Sequence, residues 1–410
     1  MQKQVFWLGL GLFVAWMGVS LAQAKSWIAT PSPALERSLS QLPQTPYTPL
    51  EWATLDELER LELLAVQTQM LNPPRTARAL ALLSVAANDT LAALAQRPGA
   101  DANVAVAAAA REVMLYLHPT FPNFKDAVRG AARDFYQAAA QAGASPQSLL
   151  ASSETGRQIG MQVVAFARKD GANRQVIPEY PKAAPGVWEL TLGYTAVEPG
   201  WGNLVPIGIS NAQLARATPP PAWDSPEFAQ DRAAFWQKQQ QLTDRDKAIA
   251  DKWAGDGGTV TPAGLWQEAV VAMLKDRQVG AEGAVAVLTP LNIAMHNAFI
   301  ACWRDKFAYY VARPNQWVKT LDPKWAPYLR TPKFPAYPSG HSTISGAAAT
   351  VLSALLPDAA ATFAAMAKEA SDSRIGAGIH WFLDGSGGLD LGERVGQQVL
   401  EAGGVVHAGN

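Results

Sequence analysis

The stretch FPAYPSGHSTISGAAATVLSALL, residues 334–356, decides how the rest of the chain is read. Its first part holds too much proline for a helix, and from Pro338 onward it becomes an alanine-rich run with apolar residues at helical spacing. A helix opening at Pro338-Ser339-Gly340-His341 presents unbonded backbone N–H groups and the positive end of the peptide dipole. Gly340 lets an oxyanion approach closely, Ser339 adds a hydroxyl, and His341 stands at the rim with a proton to give or take. Taken alone, the same residues equally describe a serine cap beside an incidental histidine.

Outward from this stretch the chain reads as helix after helix. Thr54 and Glu57 have the spacing of a capping box opening a helix to about Leu71, and Pro73-Pro74 ends it. Arg75 to Gln96, Asp101 to Leu117 and Phe124 to Gln141 read as further alanine-rich helices. Ser145-Pro146 reads as a cap and first residue of a helix to about Ala167. Between Pro178 and Pro226 stand nine prolines, with Pro199-Gly200-Trp201-Gly202 among them, so no continuous helix fits there. Helices resume near Pro226, with Thr243 capping Asp244 to Trp253, and continue from Ala281 to the end. No alternation is long enough for a sheet. The expectation is an all-α chain of two packed helical bundles, 25–177 and 227–410. The Pro/Gly-rich connector 178–226 joins them, and the active site belongs to the C-terminal bundle.

Composition sets further bounds. The 410 residues are 49% apolar and 17% charged, which excludes a disordered chain. With 34 basic and 35 acidic residues, net −1, the chain lacks the basic excess of a nucleic-acid binder. The single cysteine, Cys302, excludes an internal disulfide and a thiolate zinc cluster. Lys3, the apolar run Val5 to Ala22 and the exit Ala22-Gln23-Ala24 read as a signal peptide, residues 1–24, and predict export to a periplasm or beyond the cell. The apolar segment Gly283 to Trp303 is interrupted by Pro290, Asn292, His296 and Asn297, so no integral-membrane contact is expected.

Two more clusters carry chemistry. Lys306 and Arg313 are seven apart, almost two helical turns, so both are expected on one helical face, among Trp303, Phe307, Tyr309 and Tyr310. Cations in such surroundings need an anionic partner, from protein or ligand. In the second, Gly376 and Gly378 break helix between Arg374 and His380, letting both side chains turn inward, and Asp384 is four residues beyond His380. On a helix that pair would be adjacent, and a carboxylate beside a histidine fixes its tautomer. His118, His296 and His407 lack such company and read as structural or exposed. Three cations, a serine, a glycine N–H and two histidines suit a tetrahedral oxyanion that becomes five-coordinate, phosphate or vanadate.

The order KX6RP, PSGH, SRX5HX3D resembles the signature of the type 2 phosphatidic acid phosphatase and vanadium-dependent haloperoxidase superfamily. It is strongest over the last 130 residues. Looser likeness to the haloperoxidase branch covers Arg75 to Ala95, Pro185 to Pro206 and Leu242 to Gly264. The resemblance implies that His380 is the axial vanadium ligand, or the phosphorylated nucleophile of a phosphatase, and that His341 is the acid–base residue. It implies that Lys306, Arg313, Ser339, Gly340 and Arg374 hold the anion and that Asp384 orients His380. Trp303, Pro332 and Phe334 would line a halide pocket. Asn297 departs from the pattern, standing where many relatives have an aspartate; if that carboxylate pairs with an active-site cation, its loss alters the charge balance. The expected activity is vanadate-dependent oxidation of halide by hydrogen peroxide, the partners being hydrogen peroxide and a halide or organic substrate. The alternative is an exported acid phosphatase acting on a phosphate ester through a phosphohistidine, with no vanadate.

Overall fold

The computed structural model describes residues 25–190 and 193–404. The leader and His407 lie outside them. Fourteen α-helices are found among the described residues, with no strand, only the isolated bridges Thr48–Asp101 and Val187–Val311. The all-α expectation holds. The helices are α1 (Pro33–Ser40), α2 (Trp52–Thr68), α3 (Pro73–Leu94), α4 (Ala102–Leu117), α5 (Pro122–Gln141), α6 (Pro146–Ala167) and α7 (Pro226–Gln239). They continue as α8 (Asp244–Lys252), α9 (Thr261–Asp276), α10 (Ala281–Tyr309), α11 (Pro314–Leu321), α12 (Gly340–Leu355), α13 (Ala360–Gly376) and α14 (Phe382–Ala402).

Two compact units are present, and they interleave in sequence rather than dividing into contiguous halves. The first takes residues 25–71, 78–169 and 267–290, and the second takes 72–77, 170–266 and 291–404. The proline-rich segment 178–226 is therefore part of the second unit. Its backbone and side-chain bonds go to neighbours within that unit. Trp188 N–H donates to Tyr310 O at 2.6 Å, Ala312 N–H to Gly186 O at 2.8 Å and Val197 N–H to Lys333 O at 3.0 Å. Tyr337 Oη donates to Thr218 O at 2.5 Å. A stretch without helix satisfies its polar groups by bracing the segments that carry the site.

Several local readings shift for physical reasons. Helix α2 starts two residues before Thr54, whose buried hydroxyl donates to Asn103 Oδ1 at 2.7 Å rather than capping. Pro73-Pro74 opens α3 instead of only closing α2, since proline costs nothing at a helix start. Pro290 is accommodated inside α10. That helix and α3 are long and apolar enough to cross a membrane, yet 94% and 83% of their apolar windows are buried, as in core helices. Ser145 and Thr243 cap α6 and α8 as expected, with a capping box between Thr243 and Asp246.

In the first unit, α4 is buried along most of its length and packs on α6 through Gly156, where a Cβ would stand 1.8 Å from Ala105 O. In the second unit α12 is the central helix, lying against α13 and α14. Close contact with α14 depends on Gly388, Gly392 and Gly396, one face of that helix. A Cβ at Gly392 would sit 2.0 Å from Thr343 O and one at Gly388 2.8 Å from Ser339 O. Gly392→Ala is accordingly expected to cost about 1–3 kcal/mol by forcing the two helices apart. Urea denaturation measures this, and an unchanged midpoint would contradict the packing.

Candidate active site

The site lies wholly within the second unit, and four chain segments build it. Lys306 comes from the last turn of α10. Tyr310 then takes a positive φ of 51° and ends the helix, so Arg313 is not on the same helical face as Lys306, contrary to the seven-residue reading. Arg313 instead sits at the N-cap of α11, and its segment is held between Gly186 O, bonded to Ala312 N–H, and Ala336 N–H, bonded to Val311 O. Ser339 caps α12, its Oγ accepting from Ser342 N–H, with Gly340 and His341 in the first turn. Arg374 ends α13, and Gly378, φ +77°, turns the chain to bring His380 in before α14.

The cations are fully enclosed. Lys306 is 0%, Arg313 1% and Arg374 2% exposed. The Lys306 ammonium donates to three carbonyls, Pro335 O at 2.9 Å, Ala336 O at 2.8 Å and Pro338 O at 2.5 Å, so it clamps the loop ahead of Ser339 with all its protons. Arg313 Nε donates to Phe334 O at 2.9 Å and Nη1 to Ile379 O at 2.7 Å. Its Nη2 is buried with no hydrogen-bond partner. Arg374 reaches Ser373 Oγ at 3.0 Å and Ala250 O at 3.2 Å. Burial pulls Lys306 down strongly, Arg313 to about 10 and Arg374 to about 9. Asp384 offsets part of the charge on Lys306 and Arg313, and Asp256 part of that on Arg374.

His380 and Asp384 meet, though not as neighbours on one helix. His380 precedes α14, and Asp384, in its first turn, reaches back. Its Oδ2 accepts from His380 Nδ1–H at 2.8 Å and from Trp381 N–H at 2.9 Å. With Nδ1 protonated, His380 Nε2 carries the lone pair, and Arg313 Nη1 donates to it at 2.9 Å. Burial, and then the Arg313 charge, hold His380 well below its ordinary range, which favours the neutral ring with its lone pair on one defined nitrogen. Burial pushes the Asp384 carboxyl up, against the pull of the Trp381 N–H and the two cations.

His341 keeps some solvent access. Its Nε2 lies 2.8 Å from Trp253 O; a carbonyl only accepts, so Nε2 carries the proton and Nδ1 the lone pair. Desolvation, then Arg374, hold it well below its ordinary range. Trp303 and Phe334 pack at 4.8 Å between centroids, and Trp303 Nε1 donates to Val197 O at 3.1 Å. Phe334 faces Lys306 Nζ at 5.1 Å and the Arg313 guanidinium at 4.9 Å, so the expected wall lies against the cations. Pro332 is half-buried two residues before Phe334.

Two readings change. Asn297 bonds no active-site cation: its Oδ1 accepts from Ile207 N–H at 3.0 Å and its Nδ2 donates to Ile207 O at 2.9 Å. An aspartate could only accept. Asn297→Asp should therefore cost about 1–3 kcal/mol by orphaning Ile207 O. A gain in vanadate affinity without loss of stability would contradict this clip. His118 does have a carboxylate partner, Glu62 at 3.0 Å, and both belong to the first unit. Sequence reading missed Trp253 and Trp381, whose parts are played by main-chain atoms that no residue pattern marks.

The donor set fits a tetrahedral oxyanion: three buried cations against the Asp384 carboxylate, an unpartnered guanidinium nitrogen and a helix N-terminus. Residues 286–361 match the family model of the VCPO second helical-bundle domain. No curated protein matches the chain. Among solved structures, a bacterial vanadium-dependent iodoperoxidase aligns with TM-score 0.75 and 23% identity, over 87% of this chain and 98% of that one. A holo-type bacterial vanadium-dependent chloroperoxidase aligns with TM-score 0.61 and 15% identity, over 82% and 93%. Its apo-type counterpart aligns with TM-score 0.61 and 14% identity, over 82% and 95%. The chain thus carries, over residues 286–361, a match to the VCPO second helical-bundle domain, and over most of its length it shares the fold of these vanadium-dependent haloperoxidase structures.

Proposed function

We propose that this protein is a vanadate-dependent haloperoxidase, using hydrogen peroxide to oxidise a halide to a hypohalous-acid equivalent that then meets an organic acceptor. The observation that carries the reading is Arg313, buried and with Nη2 unpartnered, beside a His380 Nε2 whose tautomer Asp384 fixes. The fold shared with iodo- and chloroperoxidase structures favours peroxide chemistry over phosphate-ester hydrolysis. The basic start and the Ala22-Gln23-Ala24 exit support an exported location.

His380 would bind vanadium through Nε2, and Arg313, Arg374, Ser339 and the Gly340 N–H would hold the oxygens. When bound, vanadate supplies the Lewis acidity that activates peroxide toward halide. Lys306 acts through its charge and its clamp on residues 335–338. His341 has Nδ1 to take a peroxide proton and return it to the departing oxygen, which leaves as water. The balance is peroxide, halide and one proton in, hypohalous acid and water out. Assay of vanadate-reconstituted and vanadate-free protein for peroxide-dependent bromide and iodide oxidation tests this. Oxidation only in the reconstituted protein is expected, and phosphate-ester hydrolysis alone would overturn it.

The aromatic wall gives a finer expectation. Phe334→His should change the ratio of chloride to bromide oxidation in a folded protein, because the ring borders both cations. Both halide rates falling together with the melting temperature would make Phe334 ordinary packing.

A further inference from the structure

Arg374 and His341 lean on the same short segment. Ala250 O accepts from Arg374 at 3.2 Å and Trp253 O accepts from His341 at 2.8 Å, both at the C-terminal end of α8. That end is pinned from α13 by one carboxylate oxygen. Glu369 Oε1 accepts from the buried Trp253 indole Nε1 at 2.9 Å and from Lys252 Nζ at 2.6 Å. Past Trp253 the chain turns at Gly255, φ +66°, where a Cβ would lie 3.4 Å from His341 Nε2, so residues 253–255 wrap the imidazole edge. From the other side, Ser342 Oγ bonds Ser371 Oγ at 2.9 Å, tying the residue after His341 to α13 as well.

We infer that Glu369 is a positioning residue for His341, acting through the Trp253 indole and the carbonyl of the same residue to fix the imidazole with its proton on Nε2. This rests on the reading of His341 as the proton carrier. Glu369 bonds none of the anion-holding side chains; it reaches the site through Trp253. The charges bearing on His341 are Arg374 from α13, Lys306 from α10 and Arg313 from the start of α11. All three are cations, so none of them selects Nε2 for the proton; the Trp253 carbonyl does.

The test reads the imidazole ¹⁵N shifts of His341 in vanadate-free protein, assigned by their loss in His341→Ala, beside steady-state kinetics of the reconstituted enzyme. Wild type is expected to show one neutral tautomer, protonated on Nε2. Glu369→Ala should show a mixture of tautomers, with kcat down on the order of 10-fold and little change in peroxide KM. Glu369→Gln keeps an acceptor for the indole and should restore both. Lys252→Ala removes the ion pair and the ammonium 5.6 Å from the Trp253 ring centroid but leaves the indole hydrogen bond, and should change neither. Trp253→Phe should reproduce Glu369→Ala, and the double variant should be no worse than either. A tautomer unchanged in Glu369→Ala overturns the inference whatever the kinetics do, and so does a mixture that Glu369→Gln fails to correct. The imidazole measurement needs neither vanadate nor peroxide, so it stands if the halide-oxidising reading fails.

Discussion

His380→Ala is expected to abolish halide oxidation and, with it, every stabilising effect of vanadate on the fold. The side chain supplies a lone pair at Nε2 fixed by a carboxylate on its far nitrogen, Nδ1 to Asp384 at 2.8 Å. A ligand that binds only the native state at a hundred times its Kd adds about 2.7 kcal/mol of stability. That increment should be plain in the melting curve of wild type and missing from the variant. Apo stability of the variant is a necessary control, since His380 is buried and its removal orphans Asp384. Vanadate that still raises the melting temperature of His380→Ala would refute the assignment of His380 as the residue that would hold vanadium.

His341→Ala should separate binding from turnover. Its Nε2–H is committed to Trp253 O, which leaves Nδ1 for proton transfer rather than for holding the anion. Vanadate binding should survive, and halide oxidation should fall on the order of 10²–10⁴-fold. Calorimetric titration beside the rate decides it. Vanadate affinity lost as completely as in His380→Ala would mean that the two histidines share or exchange their roles.

What the sequence made legible follows from what each signal is made of. The helices announce themselves through alanine-rich apolar spacing and through caps such as Ser145, Thr243 and Ser339, all of which accept from the backbone. The candidate cations were legible because Lys306 and Arg313 lie among aromatic residues and Arg374 stands beside a glycine break, and all three are buried. Their geometry was less so. The seven-residue spacing of Lys306 and Arg313 implied one helix, but Tyr310 adopts a positive φ and the second cation arrives on extended chain. The four-residue spacing of His380 and Asp384 gave the right pair for the wrong reason, since only Asp384 is helical. The brace of residues 178–226 left no pattern, because backbone atoms make most of its bonds. A signal was there at Gly388, Gly392 and Gly396, whose spacing marks one face of α14 as the side pressed against α12.

The central claim is that these buried cations and His380 Nε2 form one oxyanion site. A crystal structure of the wild-type protein soaked with vanadate tests it most directly. The account predicts vanadium bonded to His380 Nε2, with Arg313 Nη2 newly hydrogen-bonded to one of its oxygens and His341 unbonded to the metal. Vanadate seated on His341, or found away from Arg313 and Arg374, would contradict it.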